Sequence, residues 1–167
     1  MIVEDELPLH RRAVLELTRE AFGGCEEADI IVRLGRDGLV LASLVALSDG
    51  EVAGHIMFSR LAVTVEGQDL RAATLAPMAV KSGQRRCGIG AALVGEGLRR
   101  MRDEGIEAVI VLGHESYYPR FGFRHDLVRN IASPFTDHQG FMGLELRPGC
   151  LGGRSGICTY PAAFGIG

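Results

Sequence analysis

The sequence predicts a mixed α/β fold, in which helices precede an antiparallel meander of strands and a βαβ unit follows it. Three observations lead to this prediction. The turn-type segments Ser48–Glu51 and Glu66–Asp69 separate runs of apolar residues, as in β-hairpins. After Gly88 the apolar residues recur at helical spacing. The wholly apolar run Ala108–Leu112 then follows, as expected for a buried parallel strand.

The first half of the chain supplies two helices and the meander. Helices are predicted at Leu7–Phe22, where apolar residues are spaced among charges at roughly helical intervals, and at about Glu26–Arg36. The nearly continuous apolar run Leu39–Leu47 is typical of a buried strand. Val52–Val65 is predicted to return beside it, and Leu70–Val80 to form the third strand.

The second half begins with the βαβ unit. The central helix starts after Gly88, and Gly105 suits the left-handed position that ends it. The strand Ala108–Leu112 is expected to be buried on both faces and to run parallel to Leu70–Val80. One face of the helix carries its apolar residues, which are Ile89, Leu93, Val94, Leu98 and Met101.

The remaining segments complete one domain. Ser116–Gly122 is predicted as a short helix or turn, and Phe141–Leu146 as a final strand. The Gly-rich residues 148–167 are expected to form an irregular segment packed on the domain. Because no repeat or linker interrupts the sequence, a single domain is predicted for residues 1–167, with its core in residues 1–147.

Length, charge and cysteine spacing exclude several classes of protein. The chain of 167 residues is the size of one ordinary domain. It has no apolar run of the ~18 residues that a membrane span needs, and its acidic start does not resemble a signal peptide. We therefore expect a soluble, cytoplasmic protein without a membrane partner. The formal net charge of -3 argues against a nucleic-acid partner. The cysteines lack zinc-site spacing, so we expect reduced thiols and no metal: Cys25, Cys87, Cys150 and Cys158.

The segment Val80–Ala91, which joins a predicted strand to a predicted helix, has the pattern of a phosphate-binding turn. A helix start has about four unpaired main-chain N–H groups and a partial positive charge, both of which favour an anion. Gly88 and Gly90 would let the anion approach the main chain. Arg85 and Arg86 add charge-assisted donors at the same edge.

Three phosphate-binding patterns compete for this turn. A P-loop has the spacing of Gly83 and Gly88, but Ile89-Gly90 stands where lysine and serine or threonine are needed. The dinucleotide fingerprint lacks its third glycine after Gly90, and the preceding strand belongs to a meander. The third pattern, [Gln/Arg]-x-x-Gly-x-[Gly/Ala], is met by Arg85–Gly90.

With this third pattern the sequence resembles the GNAT superfamily of N-acetyltransferases, and most closely its small bacterial branch of the YhbS type. Two further elements are similar in the same order: Leu75–Val80 resembles the splayed fourth strand, and Tyr117–Phe123 resembles the Y-x-x-x-G-F element. Ser82 replaces the usual proline, and Cys87 a lysine or another small or basic residue. Neither change removes a main-chain donor. The resemblance implies the GNAT acyl-CoA N-acyltransferase fold.

The resemblance also implies a direct transfer of an acetyl group from acetyl-CoA to a primary amine of a small molecule or peptide. A main-chain N–H of the splayed strand would stabilise the developing oxyanion. Tyr118 would protonate the departing thiolate, and His114 is the preferred general base. Residues implied to bind the co-substrate are Met78, Ala79, Val80, Arg85, Arg86, Cys87, Gly88, Ile89, Gly90 and Ala91.

Several alternatives stay open at this point. The base could instead be His55, Glu115, Glu66 or a chain of waters, although a hydrogen-bonded core histidine suits His55 better. The protein could be a non-catalytic acyl-CoA sensor, or an acyltransferase with another acyl donor or an oxygen nucleophile. Relatives are commonly homodimers, which the resemblance makes possible here. The histidines expected at the surface are His10, His125 and His138.

Overall fold

A computed structural model describes residues 1–166 of the chain as three α-helices, short 3₁₀ segments and an eight-stranded mixed sheet. The helices are α1 (Arg11–Phe22), α2 (Glu26–Arg36) and α3 (Ile89–Asp103). The strands are β1 (Ile2–Asp5), β2 (Val40–Ser48), β3 (Glu51–Val65), β4 (Gln68–Val80), β5 (Ala108–Leu112), β6 (Ile131–Ala132), β7 (Phe141–Glu145) and β8 (Gly156–Thr159). The predicted fold class is confirmed.

The sheet has the strand order β1-β2-β3-β4-β5-β7, with β8 pairing with β3 and β6 outside this path. Strand β3 runs antiparallel to β2, and β7 runs antiparallel to β5. As predicted for a βαβ unit, β4 and β5 are parallel, and they pair through Ala72–Thr74 and Ala108–Ile110. Strand β4 itself runs on to Val80.

The chain divides into two compact units. The first comprises residues 1–59 and 76–100, and the second comprises residues 60–75 and those from 101 onward. The single domain expected from the sequence stays a prediction. Within the second unit, the core is an apolar cluster in which Leu61, Ile110, Ile131 and Phe141 are all buried.

Three expectations about the elements are wrong. Strand β1 was not predicted, and it pairs antiparallel with β2 through Ile2 and Leu47. The segment from residue 148 is not irregular throughout, because Gly156–Thr159 forms β8 and pairs with Ala62–Val65 of β3. Strand β5 is not buried along its whole length, since Leu112 is 40% exposed. Strands β1, β6 and β8 were missed because short strands depend on their partners more than on their own sequence pattern.

Other predicted features agree with the structure. Gly105 has a φ of 75°, the left-handed conformation expected of the residue that ends a helix. Tyr118–Phe121 forms the short helix, here a 3₁₀ helix. In the described residues, no helix is long and apolar enough to cross a membrane.

Candidate active site

The predicted phosphate-binding turn lies in the first unit, between the end of β4 at Val80 and the start of α3 at Ile89. It contains one turn of 3₁₀ helix at Ser82–Gln84. Arg86 and Gly88 then adopt φ values of 65° and 82°, in the left-handed region. Glycine takes this conformation without steric cost, which explains Gly88 in a turn that must lead directly into a helix.

The main-chain N–H groups of this turn are the main feature of the site. At its two ends, Lys81 N–H donates to Ala53 O at 2.8 Å and Ala92 N–H donates to Gly88 O at 3.0 Å. Between them, the hydrogen bonds of residues 1–166 give no protein acceptor to any main-chain N–H of residues 85–91. These donors are therefore available to water or to an anion at the start of α3.

The side chains of the turn add positive charge. Arg85 and Arg86 are exposed, and the structure of residues 1–166 records no acidic side chain within ion-pair distance of either guanidinium. The guanidinium of Arg85 donates from Nε to Val80 O at 3.4 Å. Cys87 is also exposed, and its Sγ lies 3.7 Å from Arg85 O. The uncompensated charges and the free N–H groups together favour an anion.

Two glycines set the position of α3, and neither was singled out from the sequence. A Cβ on Gly54 of β3 would lie 2.8 Å from Ile89 Cγ2, so glycine is needed where β3 approaches the first turn of the helix. A Cβ on Gly97 would lie 2.1 Å from Phe58 Cε2. An isolated glycine within a strand or helix pattern was the signal that could have revealed both contacts.

The end of β4 carries the residues expected to steady an oxyanion. Ala79 is 4% exposed, and Met78 and Val80 are half-buried. All three lie in the first unit and immediately precede the turn. Their role stays a prediction.

Tyr118, the predicted acid, lies in the second unit at the start of the 3₁₀ helix Tyr118–Phe121. The main-chain N–H groups of Tyr117 and Tyr118 donate to His114 O at 3.0 and 3.2 Å. The ring of Tyr118 packs edge-on against Phe123, with the centroids 5.7 Å apart. A Cβ on Gly113 would lie 2.3 Å from Tyr118 Cε2, so the ring covers the main chain there.

This packing affects the chemistry of the phenol. Tyr118 is 7% exposed, and burial raises its pKa well above the ordinary value near 10. The pKa rises because burial disfavours the charged phenolate. Tyr118 therefore remains a protonated donor across the physiological range.

The predicted base and its alternatives lie in different environments. The side chains of His114 and Glu115 are exposed, just after β5. Glu66 is exposed at the turn between β3 and β4, where one carboxylate oxygen is 3.6 Å from Arg154 Nη1. His55 is fully buried, as expected of a core histidine. The structure thus brings only His114 and Glu115 into the same loop as Tyr118.

His55 belongs to a buried polar network that sequence reasoning missed. Its Nε2 lies 2.8 Å from Ser43 Oγ, which donates to Glu6 Oε1 at 2.7 Å. Glu6 also accepts two hydrogen bonds from Arg11, at 2.8 and 2.9 Å. Burial lowers the pKa of His55 to about 4, so the imidazole is neutral near pH 7. No local pattern links residues so far apart in the chain.

The expectation that His10 lies at the surface is wrong. Its side chain is buried, and its Nδ1 accepts a hydrogen bond from Leu7 N–H at 3.0 Å. His138 is exposed and His125 is half-buried, with His125 Nδ1 2.8 Å from Phe141 O. These contacts explain the three histidines as structural or surface residues.

Strands β4 and β5 are parallel and are joined through α3, and the turn before α3 is cationic and has free N–H groups. This arrangement is the one expected of proteins that bind a phosphate-bearing ligand. Comparison with known families identifies the family to which the chain belongs. The family described as Acetyltransferase (GNAT) domain matches residues 10–125. This chain therefore belongs to the GNAT acetyltransferase family.

Individual relatives are similar over almost the whole chain. The Escherichia coli K12 protein named Uncharacterized N-acetyltransferase YhbS is 34% identical over 169 residues, covering 98% of both chains. The crystal structure of E. coli YhbS in complex with CoA is similar at a TM-score of 0.88 and 32% identity, covering 99% of this chain and 92% of that one. A Brucella melitensis GNAT acetyltransferase in complex with acetyl-CoA gives a TM-score of 0.79 at 30% identity, covering 98% and 97%.

Proposed function

We propose that this protein transfers an acetyl group from acetyl-CoA to a primary amine of a small molecule or peptide while both reactants are bound. The observation that carries the proposal is the row of main-chain N–H groups at residues 85–91, which have no protein acceptor among residues 1–166. Such a row suits the diphosphate of CoA. The CoA and acetyl-CoA complexes of the two relatives support the same ligand for this chain.

In the proposed reaction the neutral amine attacks the thioester carbon, and the carbon–sulfur bond breaks. A main-chain N–H from Met78, Ala79 or Val80 would stabilise the negative charge that develops on the carbonyl oxygen. Tyr118 would donate its phenolic proton to the departing thiolate. Burial raises the pKa of Tyr118, so the phenol carries the proton that this role requires near neutral pH.

An ammonium group must lose a proton before it can attack, and we propose His114 as the acceptor of that proton. His114 is exposed and lies in the loop that holds Tyr118. The full burial of His55 and the distance of Glu66 along the chain from this loop favour His114 over these alternatives. We further propose that the enzyme acts in the cytoplasm. A homodimer stays a prediction.

The test combines calorimetry with a thiol-release assay on the purified protein. Acetyl-CoA and desulfo-CoA are titrated first, and acetyl-CoA is then incubated with polyamines, aminoglycosides, amino acids and peptides with free N-termini. Binding of both ligands and thiol release with one class of amine are expected. Binding without release for any amine would instead indicate a non-catalytic acyl-CoA sensor. No heat at millimolar ligand would contradict the proposal as a whole.

A further inference from the structure

The side chain of His138 is exposed, yet the main chain beside it holds its ring in place. Its Nδ1 accepts a hydrogen bond from Gly140 N–H at 2.9 Å. A Cβ on Gly140 would lie 3.0 Å from both Nδ1 and Cε1, so the imidazole lies directly on the main chain there. The main chain of His138 is also anchored, because its N–H donates to Phe135 O at 2.9 Å and its carbonyl accepts from Phe141 N–H at 3.0 Å. The ring is therefore oriented by contacts within its own loop.

The hydrogen bond to Gly140 decides which nitrogen of the His138 ring is a donor. Because Nδ1 accepts, the hydrogen of the imidazole is on Nε2. Nε2–H makes no recorded hydrogen bond within the described part of the chain, so it is available to a ligand. Nε2 cannot take up a proton, and protonation of Nδ1 would break the hydrogen bond from Gly140. His138 is thus a hydrogen-bond donor and not a second candidate for the general base.

This donor lies at the same end of the sheet as the proposed acid and base, within the second unit. Strands β5 and β7 are antiparallel, so the loop before β7 lies beside the end of β5. There Gly113 N–H donates to Gly140 O at 2.9 Å. The ring of Tyr118 covers Gly113, and the ring of His138 covers the glycine paired with it. Since His114 directly follows Gly113, the exposed Nε2–H lies close to both proposed catalytic groups.

The acceptor amine gives this donor a function. The attacking nitrogen uses its lone pair to reach the thioester carbon, so it cannot also accept a hydrogen bond from Nε2–H. An oxygen elsewhere on the acceptor molecule can. In amino acids and peptide N-termini, a carboxylate or carbonyl group is attached to the carbon that bears the amine, whereas alkylamines and polyamines have no such oxygen. An oxygen close to the amine therefore matches a donor close to the acid and the base.

We propose that His138 selects the acceptor: its Nε2–H binds the carboxylate or carbonyl oxygen beside the reactive amine, so that amino acids or peptide N-termini are the substrates. This inference rests on the proposed function and deepens it by naming the class of acceptor. His138 is a specificity residue and takes no part in proton transfer. A free carboxylate and a peptide carbonyl are two sources of the same chemistry, and the test separates them.

The experiment measures steady-state thiol release by the intact protein at saturating acetyl-CoA. The acceptors are the standard L-amino acids, their amides as peptide mimics, and the alkylamines that lack only the carbonyl group, such as isopropylamine for alanine. Two variants form a matched pair. His138→Asn keeps an oxygen near the position of Nδ1 for Gly140 but removes the outer donor, whereas His138→Gln places an amide N–H near the position of Nε2.

His138→Asn should raise the KM of the best amino acid or amide about tenfold, with kcat little changed. The KM of the matched alkylamine and the Kd of acetyl-CoA should stay at their wild-type values, and His138→Gln should recover most of the lost affinity. Because each amine is compared between variant and wild type, differences in basicity between amines cancel. Thermal melting checks that both variants are folded.

The outcomes separate this inference from the proposed function. A raised KM for amino acids alone would assign the oxygen to a free carboxylate, and a raised KM for amides to a peptide carbonyl, and both support the proposal. An unchanged KM in His138→Asn, an equal rise for the alkylamine, or a wild type that acetylates only amines without a carbonyl group would overturn it. If the wild type released no thiol with any amine, the proposed function itself would fail.

Discussion

The turn at Arg85–Ala91 leaves its main-chain N–H groups without protein acceptors in the described residues, whereas the turn at His114–Phe121 buries the ring of Tyr118. In the first turn the donors belong to the backbone, the side chains are solvated, and Cys87 departs from the family pattern without removing a donor. In the second, aromatic neighbours and Gly113 enclose one side chain and change its acidity. The comparison teaches that backbone conformation sets the properties of the first turn, whereas side-chain packing sets those of the second.

The largest effect is expected where a side chain blocks the exposed backbone. Gly90→Val should weaken acetyl-CoA binding more than about 100-fold, because a branched side chain would keep the diphosphate from several N–H donors. Calorimetry measures the loss. Gly95→Val is the matched control: it also puts valine into α3, at an exposed position where a Cβ would meet nothing within 4 Å. Equal binding by both variants would refute the main-chain site.

The next largest effect is expected on the rate of thiol release when the enclosed side chain of Tyr118 is changed. Tyr118→Phe should leave acetyl-CoA affinity unchanged and reduce the rate of thiol release about 100-fold, since general acid catalysis is lost. Tyr117→Phe, which removes the hydroxyl of the neighbouring half-buried tyrosine, should retain the wild-type rate. Because burial raises the pKa of Tyr118, the wild-type rate should not fall near pH 10 through loss of this proton. An unchanged rate in Tyr118→Phe would remove the acid from the mechanism.

The third prediction concerns the stability of α3, the helix that follows the turn. Gly97→Ala should destabilise the protein by about 1–3 kcal/mol, because its Cβ would overlap the ring of Phe58. Gly95→Ala, two residues earlier in α3, should stabilise it by about 0.5–1 kcal/mol, as alanine is the better helix former. Urea unfolding measures both. Stabilisation by Gly97→Ala would show that Phe58 can move aside at little cost.

The smallest effect uses the exposed cysteines as probes. With acetyl-CoA at about ten times its Kd, alkylation of Cys87 by iodoacetamide should slow about tenfold, because the ligand covers the turn. Cys25, exposed at the start of α2, should react at its original rate. Mass spectrometry of the two peptides follows both reactions in one sample. Protection of neither cysteine, or of both alike, would contradict a ligand bound at the turn.

Much of the fold could be predicted because most of its elements carry a local signal. The helical spacing from Ile89 to Met101 and the apolar run at Ala108–Leu112 each encode their own element. Strands β1 and β8 could not be predicted in the same way. Their short sequences become strands through pairing with β2 and β3, which lie far from them in the chain.

The residues of the candidate site also divide into those that the sequence could predict and those that it could not. Arg85–Gly90 and Tyr118 were recognisable because a continuous motif holds them. The buried network of Glu6, Ser43 and His55 was not, since its members come from three separate segments.

By itself, the sequence determined the order of the helices and of the strands β2–β5 and β7, the family, and the position of the candidate phosphate-binding turn, because each of these depends on residues that are neighbours along the chain. Only the tertiary structure decided which donors are unpaired, how deeply Tyr118 is buried and where Gly54 and Gly97 permit close packing. These properties depend on atoms that folding brings together from distant segments. The solvation and packing of a side chain are therefore set by the tertiary structure, and no local pattern of residues encodes them.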